Sequence, residues 1–178
     1  MENKNYKLLS LDIWDTILRR KCHPDAIKVY TSRKLYLDAK SYIKVEMRNL
    51  RALTKLRVDV ERELGTACRE SGFDDEYDIR DVFRKWILYA FDKEYPDVDG
   101  LVERLYRFEL NTEMENIYLD PNIDATIDSI QHDKLVCISD FYASKEFLEE
   151  LLNSVGMKNK IEEVYSSCDF KVNKRSAL

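Results

Sequence analysis

Residues 6–14 carry an apolar run, Leu8, Leu9, Leu11 and Ile13, that stops at acidic and hydroxyl residues. This is the pattern of a buried strand whose far end meets solvent. Pro24 suits the first turn of a helix, and from there to about residue 40 Ile27, Tyr30 and Lys34 recur at helical spacing. Ser41 is placed to cap a longer helix whose apolar positions Ile43, Met47, Leu50, Leu53, Val60 and Leu64 return every three to four residues. Gly65 or Gly72 ends it. Asp78 caps a further helix with Ile79, Val82, Phe83, Trp86, Ile87 and Ala90 on one face, and Pro96 with Gly100 marks the join to a last helix over 101–114.

The pattern changes at Pro121. A helix is expected over 123–130, a strand over 135–138, a helix over 145–155 closed by Gly156, and a short strand near Val164. Strands separated by single helices require crossover connections and therefore a parallel sheet. Functional groups in such sheets lie just beyond the carboxyl ends of the strands. Three places qualify: residues 12–16, the pair Ser139 and Asp140, and Lys171 or Lys174.

Composition narrows the class. Of 178 residues, 44% are apolar and only 4 are glycine and 3 proline, which fits packed helices with a modest sheet and excludes disordered and collagen-like chains. No apolar stretch nears the roughly 20 residues that span a bilayer, and neither a signal peptide nor a membrane partner is expected. The four cysteines, Cys22, Cys68, Cys137 and Cys168, are dispersed without a CxxC pair, so neither zinc nor disulfides are suggested and a cytoplasmic setting fits. The net charge of −5 argues against nucleic acid as a partner, but it hides a division. Residues 19–69 hold 14 Lys/Arg against 6 Asp/Glu, whereas residues 70–133 hold 6 against 18. Two readings stand: helical layers that neutralise each other on packing, or a basic surface that attracts an anionic substrate.

A carboxylate, a hydroxyl and an ammonium at one sheet edge suit phosphoryl transfer, where positioning and charge neutralisation do most of the catalysis. The carboxylate attacks phosphorus, the hydroxyl donates to a phosphoryl oxygen, and the lysine offsets negative charge. A divalent metal usually completes such a site. The plainer reading of each residue is turn or cap chemistry.

The run LLSLDIWDTILRR resembles the first motif of the haloacid dehalogenase-like hydrolase superfamily, VCISDFYAS its second and SSCDFKVNKRS its third. The long helical stretch between the first two motifs is similar to that superfamily's inserted cap. The DIWDT and ISDFY forms, with RFELNTEMENIYLDPN between them, resemble a bacterial branch associated with surface-polysaccharide biosynthesis. The resemblance implies an α/β, Rossmann-like parallel sheet, three strands of the usual five or more being present, with a helical cap inserted after the first strand. It implies a core over 1–21 and 116–178 and a cap over 22–115. It further implies Asp12 as nucleophile and magnesium ligand, the Trp14 backbone carbonyl as a second ligand, Ser139 as phosphoryl donor and Lys174 as the neutralising amine, with Lys171 competing for that role. Thr16 and Asp140 are expected to bind substrate or shape the loops, and the substrate would be a small phosphorylated metabolite, with a sugar phosphate among the candidates.

Two departures qualify this. Phosphatases of the superfamily carry a second aspartate two residues after the nucleophile, where this chain has Trp14, and an indole cannot shuttle a proton. Asp15 is the nearby substitute; the superfamily's dehalogenases also lack that aspartate. The superfamily pattern also continues with a fourth strand and an acidic motif bearing further magnesium ligands, whereas the sequence stops at Leu178. The expectation is therefore a truncated chain whose first strand has an open edge, covered by a second copy in a homodimer. The alternative function is a catalytically incomplete binding or structural module of the same fold. His23 and His132 read as surface or loop residues, Cys137 as a buried small hydrophobe and Trp86 as helical core.

Overall fold

The computed structural model describes residues 5–176. In chain order, β1 (Leu9–Leu11) and β2 (Leu18–Arg20) precede four helices, α1 (Pro24–Ala39), α2 (Leu50–Glu70), α3 (Ile79–Ala90) and α4 (Val98–Asn116). There follow β3 (Ile117–Leu119), α5 (Ile123–Asp128), β4 (Leu135–Ser139), α6 (Lys145–Ser154), β5 (Glu163–Ser166) and the short α7 (Ser167–Phe170). β1, β4 and β5 form a parallel sheet in the order β1-β4-β5, with Leu11 opposite Cys137 and Ser139 opposite Ser166. This α/β architecture with a three-stranded parallel sheet agrees with the alternation read after Pro121. The outer edge of β1 has no strand partner among the described residues.

Several boundaries differ from the sequence expectation. The first strand stops at Leu11 because the chain coils immediately afterwards: the Ile13 carbonyl accepts from both Ile17 N–H (3.0 Å) and Leu18 N–H (2.8 Å). The helix expected from Ser41 begins only at Leu50, where Asn49 Oδ1 accepts the Ala52 N–H at 2.8 Å. Residues 41–48 are turn and one 3-10 turn, and Ile43 is buried by bridging to Phe91 rather than by a helix face. Gly65 does not end α2. It lies inside it, where a Cβ would meet the Asp75 carbonyl oxygen at 3.1 Å, and the termination falls near Gly72, whose φ of 90° is the left-handed region. β2 and β3 were not anticipated. They pair antiparallel, Leu18 with Leu119 and Arg20 with Ile117, and the four helices depart from and return to this two-stranded ribbon.

The helices pack through one apolar core that includes Leu53, Phe83, Trp86, Leu105 and Tyr106. Trp86 is fully buried and its Nε1–H donates to the Leu53 carbonyl at 2.9 Å, so it is helical core as expected. Tyr106 of α4 meets Phe147 of α6 edge-on at 5.5 Å, which ties the helical segment to the sheet layer. Of the two readings of the charge division, packing with neutralisation is the one the contacts follow. Arg57 of α2 is fully buried and makes two bonds to Glu109 of α4 (2.5 and 2.7 Å), and Arg20 of β2 pairs with Glu113 at 3.1 Å. His23 is an exposed N-cap of α1, His132 Nδ1–H donates to the Ile130 carbonyl at 2.6 Å, and Cys137 is buried in β4. Among the described residues no helix is long and apolar enough to cross a membrane.

Candidate functional site

β1 ends against Asp12, and the turn after it spends one carboxylate oxygen locally: Asp12 Oδ1 accepts the Ile13 N–H at 2.8 Å. The other oxygen, Oδ2, lies 2.7 Å from Lys174 Nζ across 162 residues of sequence. Both side chains keep a substantial exposed fraction, 43% for Asp12 and 35% for Lys174, so the pair is open to a ligand. Lys174 N–H donates to Asp140 Oδ1 at 3.0 Å, which makes Asp140 a support for the lysine's backbone. Lys171 goes elsewhere. It closes α7 in the left-handed region with φ 57°, and its ammonium lies over the Phe73 ring at 5.4 Å. Thr16 sits in the turn after β1.

Ser139 closes β4. It is fully buried and its hydroxyl has no partner among the described residues, unlike Ser166 opposite it, whose Oγ–H donates to the Ala143 carbonyl at 2.6 Å. An unmet buried hydroxyl costs about 1–3 kcal/mol. Next in the sheet, burial pushes the Cys137 thiol up to about 12, with the Asp12 charge adding to the effect.

The Trp14 ring lies 5.0 Å from Phe141 and 3.5 Å beneath the Arg20 guanidinium, itself held by Glu113, and its Nε1–H is buried without a partner among the described residues. Asp15 takes φ 57°, and its carboxylate is 88% exposed and 3.9 Å from Arg19. The one-residue offset from position 14 thus turns the acid toward solvent rather than into the site. For a hard divalent cation the oxygens on offer are the Asp12 carboxylate and the Trp14 carbonyl, which accepts no hydrogen bond among the described residues. No group of three His, Cys, Asp or Glu side chains gathers there or elsewhere among them. Six-coordinate magnesium tolerates few protein ligands but usually takes one or two carboxylates together with phosphate and water. Asp12 with the Trp14 carbonyl is compatible with that sparse set, because a carboxylate oxygen that accepts one hydrogen bond keeps a second lone pair.

Behind Phe141 a network that the motifs did not signal joins this loop to the helices. Tyr142 Oη–H donates to Glu109 Oε1 at 3.2 Å, Thr31 Oγ1–H to Glu109 Oε2 at 2.6 Å, and Arg57 also reaches Glu61 at 3.0 Å, which in turn pairs with Lys28. Burial would raise the Glu109 carboxyl, but the Arg57 charge and hydrogen bonds outweigh it and hold it below the usual carboxylate range. Burial raises Glu113 despite Arg20, and raises the Tyr142 hydroxyl well above the ordinary phenol. Tyr142 lies within the second motif, yet its hydrogen-bond partner Glu109 is on α4 and the rest of the network on α1 and α2, where periodicity marks only helix faces.

No protein-family model and no curated protein matches this sequence. Solved structures do. The 2-haloacid dehalogenase from Pseudomonas syringae pv. tomato is similar with a TM-score of 0.57 at 15% identity over 94% of this chain and 66% of that one. The HAD hydrolase YfnB from Bacillus subtilis, bound to magnesium, gives 0.54 at 18% identity over 96% of this chain and 68% of that one. A predicted phosphoglycolate phosphatase from Haemophilus somnus gives 0.51 at 11% identity over 90% and 62%. The chain thus spans about two thirds of the length of these proteins. Sheet order, the helical segment between β2 and β3, and these likenesses agree: the chain has the haloacid dehalogenase-like hydrolase fold.

Proposed function

We propose that this chain carries the nucleophilic centre of a hydrolase that acts on a small phosphorylated metabolite, a sugar phosphate being the leading class, with the helices between β2 and β3 choosing the substrate. The observation that carries the reading is the 2.7 Å contact between Asp12 and Lys174 at the carboxyl edge of the sheet. Asp12 attacks phosphorus, the bond from phosphorus to the leaving oxygen breaks, and the phosphoryl group rests on Asp12 until water attacks phosphorus and restores the carboxylate. Lys174 offsets the repulsion between a carboxylate and an anionic substrate. The Ser139 hydroxyl is the available donor to a phosphoryl oxygen. A divalent cation, if bound, would be held by Asp12 and the Trp14 carbonyl and would offset phosphoryl charge. The test is release of phosphate from a panel of sugar phosphates, with and without magnesium, by the chain and by Asp12→Asn. Loss of at least about a thousandfold in the variant is expected, and equal rates would remove Asp12 from the chemistry.

A second reading is favoured by one observation. Trp14 holds the position of the proton-transferring acid and Asp15 faces solvent, so neither residue is placed to protonate a leaving oxygen. A leaving group that departs unprotonated, such as halide, needs none, and 2-haloacid dehalogenases are among the similar structures. Chloride release from 2-chloropropionate, absent in Asp12→Asn, is the outcome that would select this reading over phosphate release.

A further inference from the structure

After α7 the chain runs through residues 171–176 without helix or strand, so its backbone must find partners elsewhere or leave the turn undefined. Three of the bonds that hold this segment come from one residue. Asp74, in the loop that joins α2 to α3, accepts the Asn173 N–H with Oδ2 at 2.7 Å and the Ser176 Oγ–H with Oδ1 at 2.6 Å. Its own N–H donates to the Lys171 carbonyl at 3.0 Å. These three bonds bracket Lys174 on both sides. Two residues on, Glu76 accepts the Ser167 Oγ–H at 2.9 Å, and Ser167 Oγ accepts the Phe141 N–H at 3.1 Å, so the same loop also reaches the segment after β4.

A lysine amine hangs on four flexible carbons, and where it dwells depends on how firmly its backbone is held. We propose that Asp74 is the positioning residue for Lys174: by gripping residues 171, 173 and 176 it fixes the turn that delivers the ammonium to Asp12. The inference rests on the reading of Lys174 as the neutralising amine, and it adds that the helical segment sets that amine's place. A shift of the α2–α3 loop carries the lysine turn with it, which couples the helices that choose the substrate to the charge that accepts it. The bonds from Ser176 and Asn173 hold the Asp74 carboxyl below the usual range, so the clamp stays ionised at neutral pH.

The test follows acylation of Lys174 by acetic anhydride, read by peptide mass spectrometry with Lys55 on α2 as the internal reference, alongside kcat and KM. In Asp74→Ala, Lys174 acylation is expected to rise severalfold relative to Lys55, and kcat to fall about tenfold with KM within about threefold. Asp74→Asn, which keeps an acceptor for Asn173 and a group able to pair with Ser176, is expected to restore both. Should Asp74→Ala fail to fold, Ser176→Ala, which drops one of the three bonds, is expected to raise acylation in the same direction. Unchanged Lys174 acylation in folded variants overturns the proposal, whatever happens to activity. If the wild-type chain hydrolyses none of the substrates, the labelling decides on Asp74 alone, while a rise in Lys174 acylation in Asp12→Asn separately reports whether the Asp12–Lys174 pair forms.

Discussion

Asp12 and Lys174 illustrate what single residues disclose. The carboxylate after β1 and the lysine after β5 were legible because the end of a parallel strand fixes where its next residues emerge, and their contact joins the two chain ends of the site. Spacing alone leaves Lys171 and Lys174 both open and only the resemblance points to Lys174; what separates them physically is the left-handed close of α7 at Lys171, which no spacing announces. Lys174→Met is expected to lower kcat by about a hundredfold while leaving the melting temperature nearly unchanged, because a half-exposed ion pair adds little to stability. Steady-state kinetics with a thermal melt checks both halves. Trp14 reads differently at this scale: its ring is held by Phe141 and Arg20 while its N–H is buried without a partner among the described residues. Trp14→Phe keeps the stack and removes the orphaned donor, so its stability should lie within about 1 kcal/mol of the parent, measured by urea unfolding. A loss of several kcal/mol would show that the indole N–H is satisfied in solution.

Among the elements, α2 and α4 are bound by more than apolar contact. Arg57 and Glu109 are both fully buried, and each satisfies the other's charge. Glu109→Gln leaves the guanidinium with Glu61 alone and is expected to cost about 3 kcal/mol of stability. The pH dependence carries a sign. The folded-state pKa of Glu109 is depressed, so its contribution is present above the ordinary carboxylate range and is lost as pH falls through the depressed value. Glu113 is raised, so its contribution is present below the ordinary range and is lost as pH rises through the raised value. Glu109 therefore contributes a loss of melting temperature on acidification that Glu113 opposes, and Glu109→Gln should flatten the acid limb. An unaltered acid limb would place the titration elsewhere. The helices themselves were largely legible from period and caps, Asp78 included, whose Oδ1 accepts the Arg80 N–H at 2.7 Å. The start of α2 was not. Ile43 has helical spacing to Met47 but is buried by a bridge to Phe91, a long-range contact that overrides local period. The β2–β3 ribbon was missed for a similar reason, its strands being 3 residues each and almost a hundred positions apart.

Over the whole molecule, the division into a basic and an acidic stretch resolves into contact: Arg57 with Glu109, Arg20 with Glu113, and Lys28 with Glu61 inside the basic stretch itself. The helical segment thereby reaches the site along three lines, through Tyr142 to Glu109, through Trp14 and Arg20 to Glu113, and through the Asp74 loop to the turn of Lys174. The central claim is that Asp12 becomes covalently loaded during turnover. Borohydride reduces an acyl phosphate or an ester at an aspartate to homoserine, so the chain mixed with sugar phosphates or with 2-chloropropionate can be quenched with borohydride and its Asp12 peptide weighed. The account predicts homoserine at position 12 with one of the two substrate classes and none in its absence. Hydrolysis of substrate with an unmodified Asp12 peptide would contradict it.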